Sequence, residues 1–389
     1  MRSLDQLELD LSPGLGSDEL PVPTVLIGPN GAGKSTLLEA CELLRKAATE
    51  HPFVSKLFDV HGGPPALLRR NAKRIVLGVE CVVGSSTLSY EVSLYSAGMS
   101  LMISEVAQVQ NAVVLERGGD KYRYLTSGGS GSMAEREIAS DELALASAPP
   151  EVPMLSSIRA LLASIEVHTP VEVRPPWAAG SSDAGPRASN VIRPATRVEI
   201  GGRNLPNVYY TLRQQKDWPQ TLERIQLALG DQIEDVLTPA DPSGGRIGLA
   251  IRVAGLGEIP AFSMSDGQLS YLALVGVLRL HRPNPPLLVA FDEPDLHLHP
   301  SLARRLMSDL ETFSRYTPVL VATQSDAMLD VLGDPARSSV LCELDEHHAT
   351  QLVRPDQKGL QRWLEDYRGL GELRAAGYEG VVFPRLETP

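Results

Sequence analysis

Nine consecutive residues, Gly28, Pro29, Asn30, Gly31, Ala32, Gly33, Lys34, Ser35 and Thr36, carry the chemistry of phosphate binding. They match G-x-x-x-x-G-K-[ST], with Gly28, Gly33, Lys34 and Ser35 at the fixed places. Glycines let the backbone fold into a concave nest whose N–H groups point at phosphate oxygens. Lys34 reaches the outer phosphates as a point charge. Ser35 offers a hydroxyl to Mg²⁺. The flanks suit this role. Val25-Leu26-Ile27 reads as a buried strand, and Leu37 to Leu44 as a helix, so the phosphates would sit at a helix N-terminus.

A second constellation lies far downstream. Leu287 to Phe291 is an apolar run that ends in Asp292 and Glu293. A buried strand would deliver both carboxylates at its C-terminal end, where α/β sheets bind ligands. Asp292 would hold Mg²⁺, directly or through water, and Glu293 would act as general base on the attacking water. Paired acids after a strand also arise by chance, and it is the phosphate loop upstream that gives this pair its meaning. A third element, Ser263-Met264-Ser265-Asp266-Gly267-Gln268, precedes an apolar helix. Ser265 and Gly267 would lie at a helix N-terminus suited to an anion. In isolation the same residues make a capping box, with Ser265 as N-cap and Gln268 three residues on.

The elements that must position these groups follow from periodicity. Leu7 to Leu11 alternates and reads as a short strand. Ile75-Leu77-Val79, Tyr90-Val92-Leu94 and Ala112 to Leu125 read as antiparallel strands. Thr126 to Ser132 is a loop by composition, and Pro175 to Asn190 a Pro-, Ala-, Gly- and Ser-rich linker. Helical spacing is expected over Pro153–Ile165, over Leu205–Leu237 (Leu222, Ile225, Leu227, Leu229, Ile233 and Val236 on its apolar positions), over Gln268–Leu280 and over Ser301–Phe313. Ile247–Val253, Pro286–Phe291 and Val319–Thr323 read as strands. No heptads persist, so long coiled-coil arms are not expected.

Composition narrows the class. The 389 residues suggest one large or two intimate domains. With 36 Lys plus Arg against 48 Asp plus Glu, the net charge is −12, which argues against a general nucleic-acid coat. Cys41, Cys81 and Cys342 are far apart and suggest reduced thiols rather than zinc or disulfides. No apolar run approaches the ~20 residues that span a bilayer, and the N-terminus lacks a secretory core, so a cytoplasmic location and no membrane are expected.

The order of GPNGAGKST, MSDGQ, LLVAFDEP and Val321-Ala322-Thr323-Gln324-Ser325 resembles ATP-binding-cassette-type ATPases. Within these it is similar to the non-transporter branch of the RecF and SMC families, and above all to a bacterial group of AAA-ATPase-like proteins without coiled-coil arms or a Toprim domain. Asp292 to Pro300 is similar to that group's D-E-P-E-x-x-L-H-P run, Gly202-Arg203-Asn204-Leu205 to its G-x-N-L segment, and Trp363 to Leu373 to its C-terminal tail.

The resemblance implies an α/β P-loop cassette with a mixed or parallel core sheet, an antiparallel β subdomain and a helical insertion. It implies ATP and Mg²⁺ as cofactors, with Ser35 and Asp292 on the metal and Glu293, Gln324, Ser265 and Gly267 in catalysis. It also implies a head-to-tail, ATP-dependent homodimer in which Ser265 and Gly267 touch the γ-phosphate held by the other subunit. The corresponding parts are 1–125 (first half of the cassette), 126–245 (helical and loop insertion), 246–345 (second half) and 346–389 (tail). The work implied is DNA repair or defence against mobile elements, with a possible nucleic acid and an effector nuclease as partners.

The chain also departs from that pattern. Gln324 stands where the family usually has a histidine, which predicts slow turnover unless glutamine serves as well. His297 and His299 suit seam contacts or helix entry, with a metal site as the other reading. A magnesium-sensing glutamine is implied, with Gln108 and Gln110 available and neither assigned. Phe58 and Tyr90 are candidates to stack on adenine. Arg69, Arg70, Lys73 and Arg74 are candidates for phosphate-backbone contact, or simply a solvated loop. Two other functions stay open: the nucleotide-binding subunit of a transporter, and an ATP-gated scaffold that hydrolyses slowly or not at all.

Overall fold

Four short apolar runs from distant parts of the chain become neighbouring strands. The computed structural model describes residues 3–11, 20–62, 68–69, 72–97, 100–126, 132–171, 185–240 and 244–383. After β1 (Thr24–Ile27) come six strands of one meander, β2 (Arg74–Val83), β3 (Ser86–Ala97), β4 (Ser100–Val109), β5 (Ala112–Gly118), β6 (Lys121–Leu125) and β7 (Met133–Glu137). Then follow β8 (Glu166–His168), β9 (Asn190–Val191), β10 (Ile233–Leu237), β11 (Arg246–Ile247), β12 (Ala250–Val253) and β13 (Gly257–Pro260). The last four are β14 (Val289–Asp292), β15 (Val319–Ala322), β16 (Ser339–Leu344) and β17 (Thr350–Val353).

The core sheet has the order β17-β16-β1-β15-β14-β8. All its neighbours are parallel except β16 and β17. Its strands are apolar on both faces because both faces are covered. Leu26, Ala290, Leu320 and Ala322 enter one core, with α1 (Lys34–Thr49), α2 (Phe53–His61), α3 (Ala144–Ser147), α4 (Pro153–Ala163) and the inner face of the meander. Val25, Ile27, Val289, Phe291, Val319 and Val321 enter the other. That second core contains α5 (Leu205–Leu212), α6 (Trp218–Leu229), α7 (Asp266–Arg279), α8 (Pro300–Ser314) and α9 (Asp326–Leu329). It also takes in the C-terminal helices α11 (Gln357–Trp363), α12 (Leu370–Ala375) and α13 (Glu379–Val382), which follow the short α10 (Pro335–Ser338).

The mixed α/β architecture, with a mostly parallel core sheet and an antiparallel portion, agrees with the reading of the sequence. Several elements differ from it. Leu7 to Leu11 forms no strand, and Leu9 and Leu11 only pack against the first core. The helical expectation over 205–237 ends at Leu229, since Gly230 (φ +118) breaks the helix. Ile233 and Val236 then lie inward on β10. Ile247 and Val253 belong to different small sheets, β11 with β9 and β12 with β10 and β13. Within 126–245, β8 joins the core sheet beside β14. Residues 127–131 and 172–184, which hold most of the expected loop and linker, lie outside the described residues.

Candidate nucleotide site

The P-loop leaves the C-terminal end of β1, a central strand with β15 on one side and β16 on the other. Gly28 (φ +131), Gly31 (φ +79) and Gly33 (φ +98) take backbone conformations that L side chains rarely adopt. A Cβ on Gly28 would overlap the Cys342 carbonyl of β16, and one on Gly33 would overlap Thr350 of β17. The loop is therefore pressed against the sheet at Gly28 and Gly33, while Pro29, Asn30, Gly31 and Ser35 stay exposed. Ala32 is buried and donates its N–H to the Pro29 carbonyl at 3.4 Å. Gly33 caps α1, whose first turn carries Lys34, Ser35 and Thr36.

Lys34 is 6% exposed, and its ammonium donates to the carbonyls of Gly28 (2.6 Å) and Pro29 (2.9 Å). Burial lowers its pKa, while the nearby Cys342, Glu293 and Asp292 pull the other way. β14 delivers the two acids. Asp292 accepts from the Ser35 hydroxyl at 3.1 Å, and burial raises its pKa. Glu293 leaves the strand at φ +42 and donates its N–H to the Ala322 carbonyl of β15. Gln324, the second residue after β15, donates through Nε2 to Glu293 Oε1 (3.1 Å) and to Asn30 Oδ1 (2.6 Å). One exposed amide thus ties the P-loop to the acid of β14. Three adjacent strands, β1, β15 and β14, bring together motifs almost 300 residues apart. Parallel strands all point the same way, so their C-terminal ends meet at one edge.

The turn after β14 is fixed from below. Thr323 is fully buried, donates its hydroxyl to Asp295 Oδ1 at 2.6 Å and accepts the Ser325 N–H. Burial raises the Asp295 pKa. His297 sits at φ +71, and its carbonyl faces Gly267, where a Cβ would come within 2.8 Å of that oxygen. This close approach explains the glycine. Ser265 caps α7 through the full reciprocal box with Gln268, at 3.2 and 2.9 Å. Its side chain is nonetheless exposed. Arg187 holds the turn from outside, donating to the carbonyls of Ala261, Phe262 and Met264 and to Asp266 Oδ1.

The sequence placed the P-loop, Asp292, Glu293 and Gln324 by motif, and they do meet. The side chain of Asn30, the Thr323–Asp295 bond and the Arg187 clamp were not foreseen. Arg187 follows a Pro/Gly-rich stretch with no motif of its own, so no local signal was there to find.

Other candidates lie elsewhere. Tyr90 is 2% exposed and donates to Glu105 inside the meander, so it has no face for adenine. The side chain of Phe58 lies outside the described residues. Gln108 is on β4, and Gln110 is in the turn after it at φ +50. Arg69 is taken up by Asp5 (2.8 Å) and the His347 carbonyl, while Lys73 and Arg74 are exposed and Arg70 lies outside the described residues. His299 Nδ1 caps α8 at Ser301, which favours the helix-entry reading. All three cysteines are free, and burial pushes Cys41 and Cys342 up to about 12. A cavity of about 230 Å³ lies beside β8, between Arg45, His168 and Arg203, away from the P-loop. Among the described residues no helix is long and apolar enough to cross a membrane.

Residues 24–78 and 170–330, more than half of the chain, match the model of a family described as "AAA domain, putative AbiEii toxin, Type IV TA system". No curated protein matches. Among solved structures, an SMC head bound to the C-winged helix domain of ScpA is 13% identical at a TM-score of 0.42, covering 89% of this chain and 96% of that one. The SMC head domain from Thermotoga maritima is 14% identical at 0.38, covering 89% and 97%. An Smc head with an extended coiled coil, bound to the C-terminal domain of ScpA derived from Pyrococcus furiosus, is 13% identical at 0.40, covering 91% and 96%.

Proposed function

The chain belongs to this AAA-domain family, and from that premise we propose that it binds and hydrolyses ATP and uses the nucleotide to close a homodimer. The observation that carries the reading is the meeting of Lys34, Ser35, Asp292, Glu293 and Gln324 at the ends of three adjacent strands. The residues fit the groups the family implies. The loop of Gly28 to Thr36, exposed at Pro29 to Gly31 and at Ser35, suits a triphosphate. Ser35 and Asp292 form a hard-oxygen pair at 3.1 Å that suits Mg²⁺. When bound, the metal would supply charge neutralisation at the phosphate oxygens.

The chain's own groups then divide the work. Lys34 exchanges the carbonyls of Gly28 and Pro29 for phosphate oxygens. Glu293 takes a proton from the attacking water through the carboxylate oxygen that Gln324 leaves free. Gln324 orients that carboxylate and links it to Asn30 on the P-loop. The exposed Ser265 turn presents its helix N-terminus to the nucleotide of a second copy, whose own turn does the same in return. Dimer closure then depends on nucleotide because only the ATP state offers both copies the same anion.

The pathway we infer is DNA repair or defence against mobile elements, with a partner that carries the effector chemistry. The family's description, which names a toxin of a toxin–antitoxin system, supports defence. The test of the core reading is light scattering and phosphate release with Mg²⁺-ATP. Glu293→Gln is expected to bind ATP and accumulate as a dimer, and Ser265→Arg to stay monomeric. Purified protein that binds no adenine nucleotide, or a Ser265→Arg variant that dimerises normally, overturns it. Gln324 keeps a second reading open, a scaffold that holds ATP with little turnover, because an amide carries no charge. A wild-type rate no higher than that of Glu293→Gln favours the scaffold, and a Gln324→His variant no faster than wild type removes the slow-turnover argument.

A further inference from the structure

The C-terminal unit is docked, through backbone contacts, on the segment that carries Gln324. Ser325 is the N-cap of α9, and Asp326 is its first residue. Gly371 of α12 lies so close that a Cβ there would overlap the Asp326 carbonyl, and a Cβ on Gly369 would come within 2.5 Å of the Asp330 Cα. Glu372 donates its N–H to Asp330 Oδ1 at 2.7 Å. Arg374 completes the joint. Its Nη1 donates to Asp326 Oδ1 at 3.0 Å, and its Nε to Glu379 of α13 at 2.9 Å. The guanidinium is 16% exposed. Met328 and Leu329 anchor α9 from the other side, fully inside the core. Beyond the Thr323 hydroxyl that accepts the Ser325 N–H, the residues just after Gln324 are thus held by core packing and by the tail.

The joint is also electrostatically close to the P-loop. The charge of Arg374 is among those felt by Lys34, where it opposes the ammonium. A charge-assisted pair on a half-buried helix start fixes direction as well as distance, because guanidinium and carboxylate are both planar.

We propose that Arg374 is a positioning residue for the hydrolytic step: by holding Asp326 it sets the Gln324 amide against Glu293 and Asn30, so that the seating of the C-terminal unit controls turnover. The proposal rests on the ATPase reading above. It makes the tail part of the working site although it contributes no ligand to the nucleotide. The effect is expected in kcat, since Gln324 orients the base and meets the phosphate loop only at the Asn30 side chain, not at the backbone N–H groups of the nest.

The experiment is a cycle of four full-length proteins, wild type, Arg374→Ala, Gln324→Ala and the double variant, assayed for steady-state phosphate release and for fluorescent-ATP binding. Arg374→Ala is expected to lower kcat about tenfold with nucleotide affinity within twofold of wild type, and to cost nothing further once Gln324 is alanine. Arg374→Lys should recover part of the loss, because it keeps the charge facing Asp326. Should Arg374→Ala fold too poorly to assay, Asp326→Asn takes its place, removing the charge that Arg374 holds, and the same fall in kcat with unchanged nucleotide affinity is expected. An unchanged kcat in Arg374→Ala, a loss of nucleotide affinity as large as the loss of kcat, or an equal further loss in the Gln324→Ala background overturns the inference. Wild-type protein without hydrolysis overturns both this inference and the reading it rests on, whereas wild-type turnover insensitive to Arg374 overturns this one alone.

Discussion

Two polar clusters in this molecule use similar side chains to opposite ends. Inside the meander, Glu105 is fully buried and accepts from the Tyr90 hydroxyl and the N–H groups of Ala144 and Leu145. Arg117, 2% exposed, faces it at 3.5 Å and donates to the carbonyls of Gly119, Glu142 and Ala139. Each group has several partners, and most are backbone. At the strand ends of the core sheet, Asp292 rests on one hydroxyl, Glu293 on one amide, and Lys34 on two loop carbonyls. Ser35 and Gln324 are exposed. A satisfied network locks one conformation. Groups with one or two replaceable partners keep capacity for a ligand. Buried charge alone therefore does not mark a site here; spare hydrogen-bonding capacity beside open surface does.

Mutations that separate the two clusters test this contrast, and the largest effect is expected at the strand ends. Glu293→Gln should lower phosphate release by about 100- to 10,000-fold, the usual contribution of a general base. Its thermal midpoint should match wild type; a large drop would make Glu293 structural and erase the contrast.

Next comes the meander. Glu105→Leu leaves Arg117 buried without its carboxylate and should cost about 3–5 kcal/mol of stability. Urea unfolding measures the loss, and ATP affinity at temperatures where the variant is folded should be unchanged. Altered affinity would mean that the two clusters are coupled.

A smaller effect is expected at the edge of the core sheet. Burial disfavours the ionised Glu166, yet hydrogen bonds from His168 and the paired Arg282 outweigh it and hold the carboxyl at about 2. A folded pKa below the unfolded one contributes stability that is complete above about 4.5 and is lost as the pH falls towards about 2. At 1.36 kcal/mol per unit this amounts to about 3 kcal/mol at most. Unfolding at pH 5 and pH 3 should show wild type losing more stability than Glu166→Gln; equal losses would count against it. Smallest is Tyr90→Phe, which removes one of several donors to Glu105 and should cost about 1 kcal/mol, read as a small shift in the urea midpoint.

Much of the site was legible because its parts are local. A phosphate nest needs glycines at fixed spacing, so Gly28 to Thr36 announces itself within nine residues. An apolar run ending in two acids likewise predicts where Asp292 and Glu293 will lie on a strand. The apolar helix after Ser265 was visible for the same reason, as was its cap. Less was legible where one pattern serves two structures. Ile233 and Val236, three residues apart, suit a helix face; Gly230 ends the helix, and both can lie inward on a strand paired with β12 because the register shifts between Ile233 and Asp235.

What the amino-acid order determined unaided was the phosphate loop, the acids and the α/β alternation, since each depends on neighbours in the chain and on periodicity. Only the tertiary structure decided that Gln324 would join Asn30 to Glu293, that Gly267 would meet His297, that Tyr90 would be sealed beside Glu105 and that Arg374 would reach Asp326. Those pairings depend on which strands lie side by side and how closely backbones approach. Such distances are set by the packing of the whole sheet and its two cores, and no window of sequence contains them.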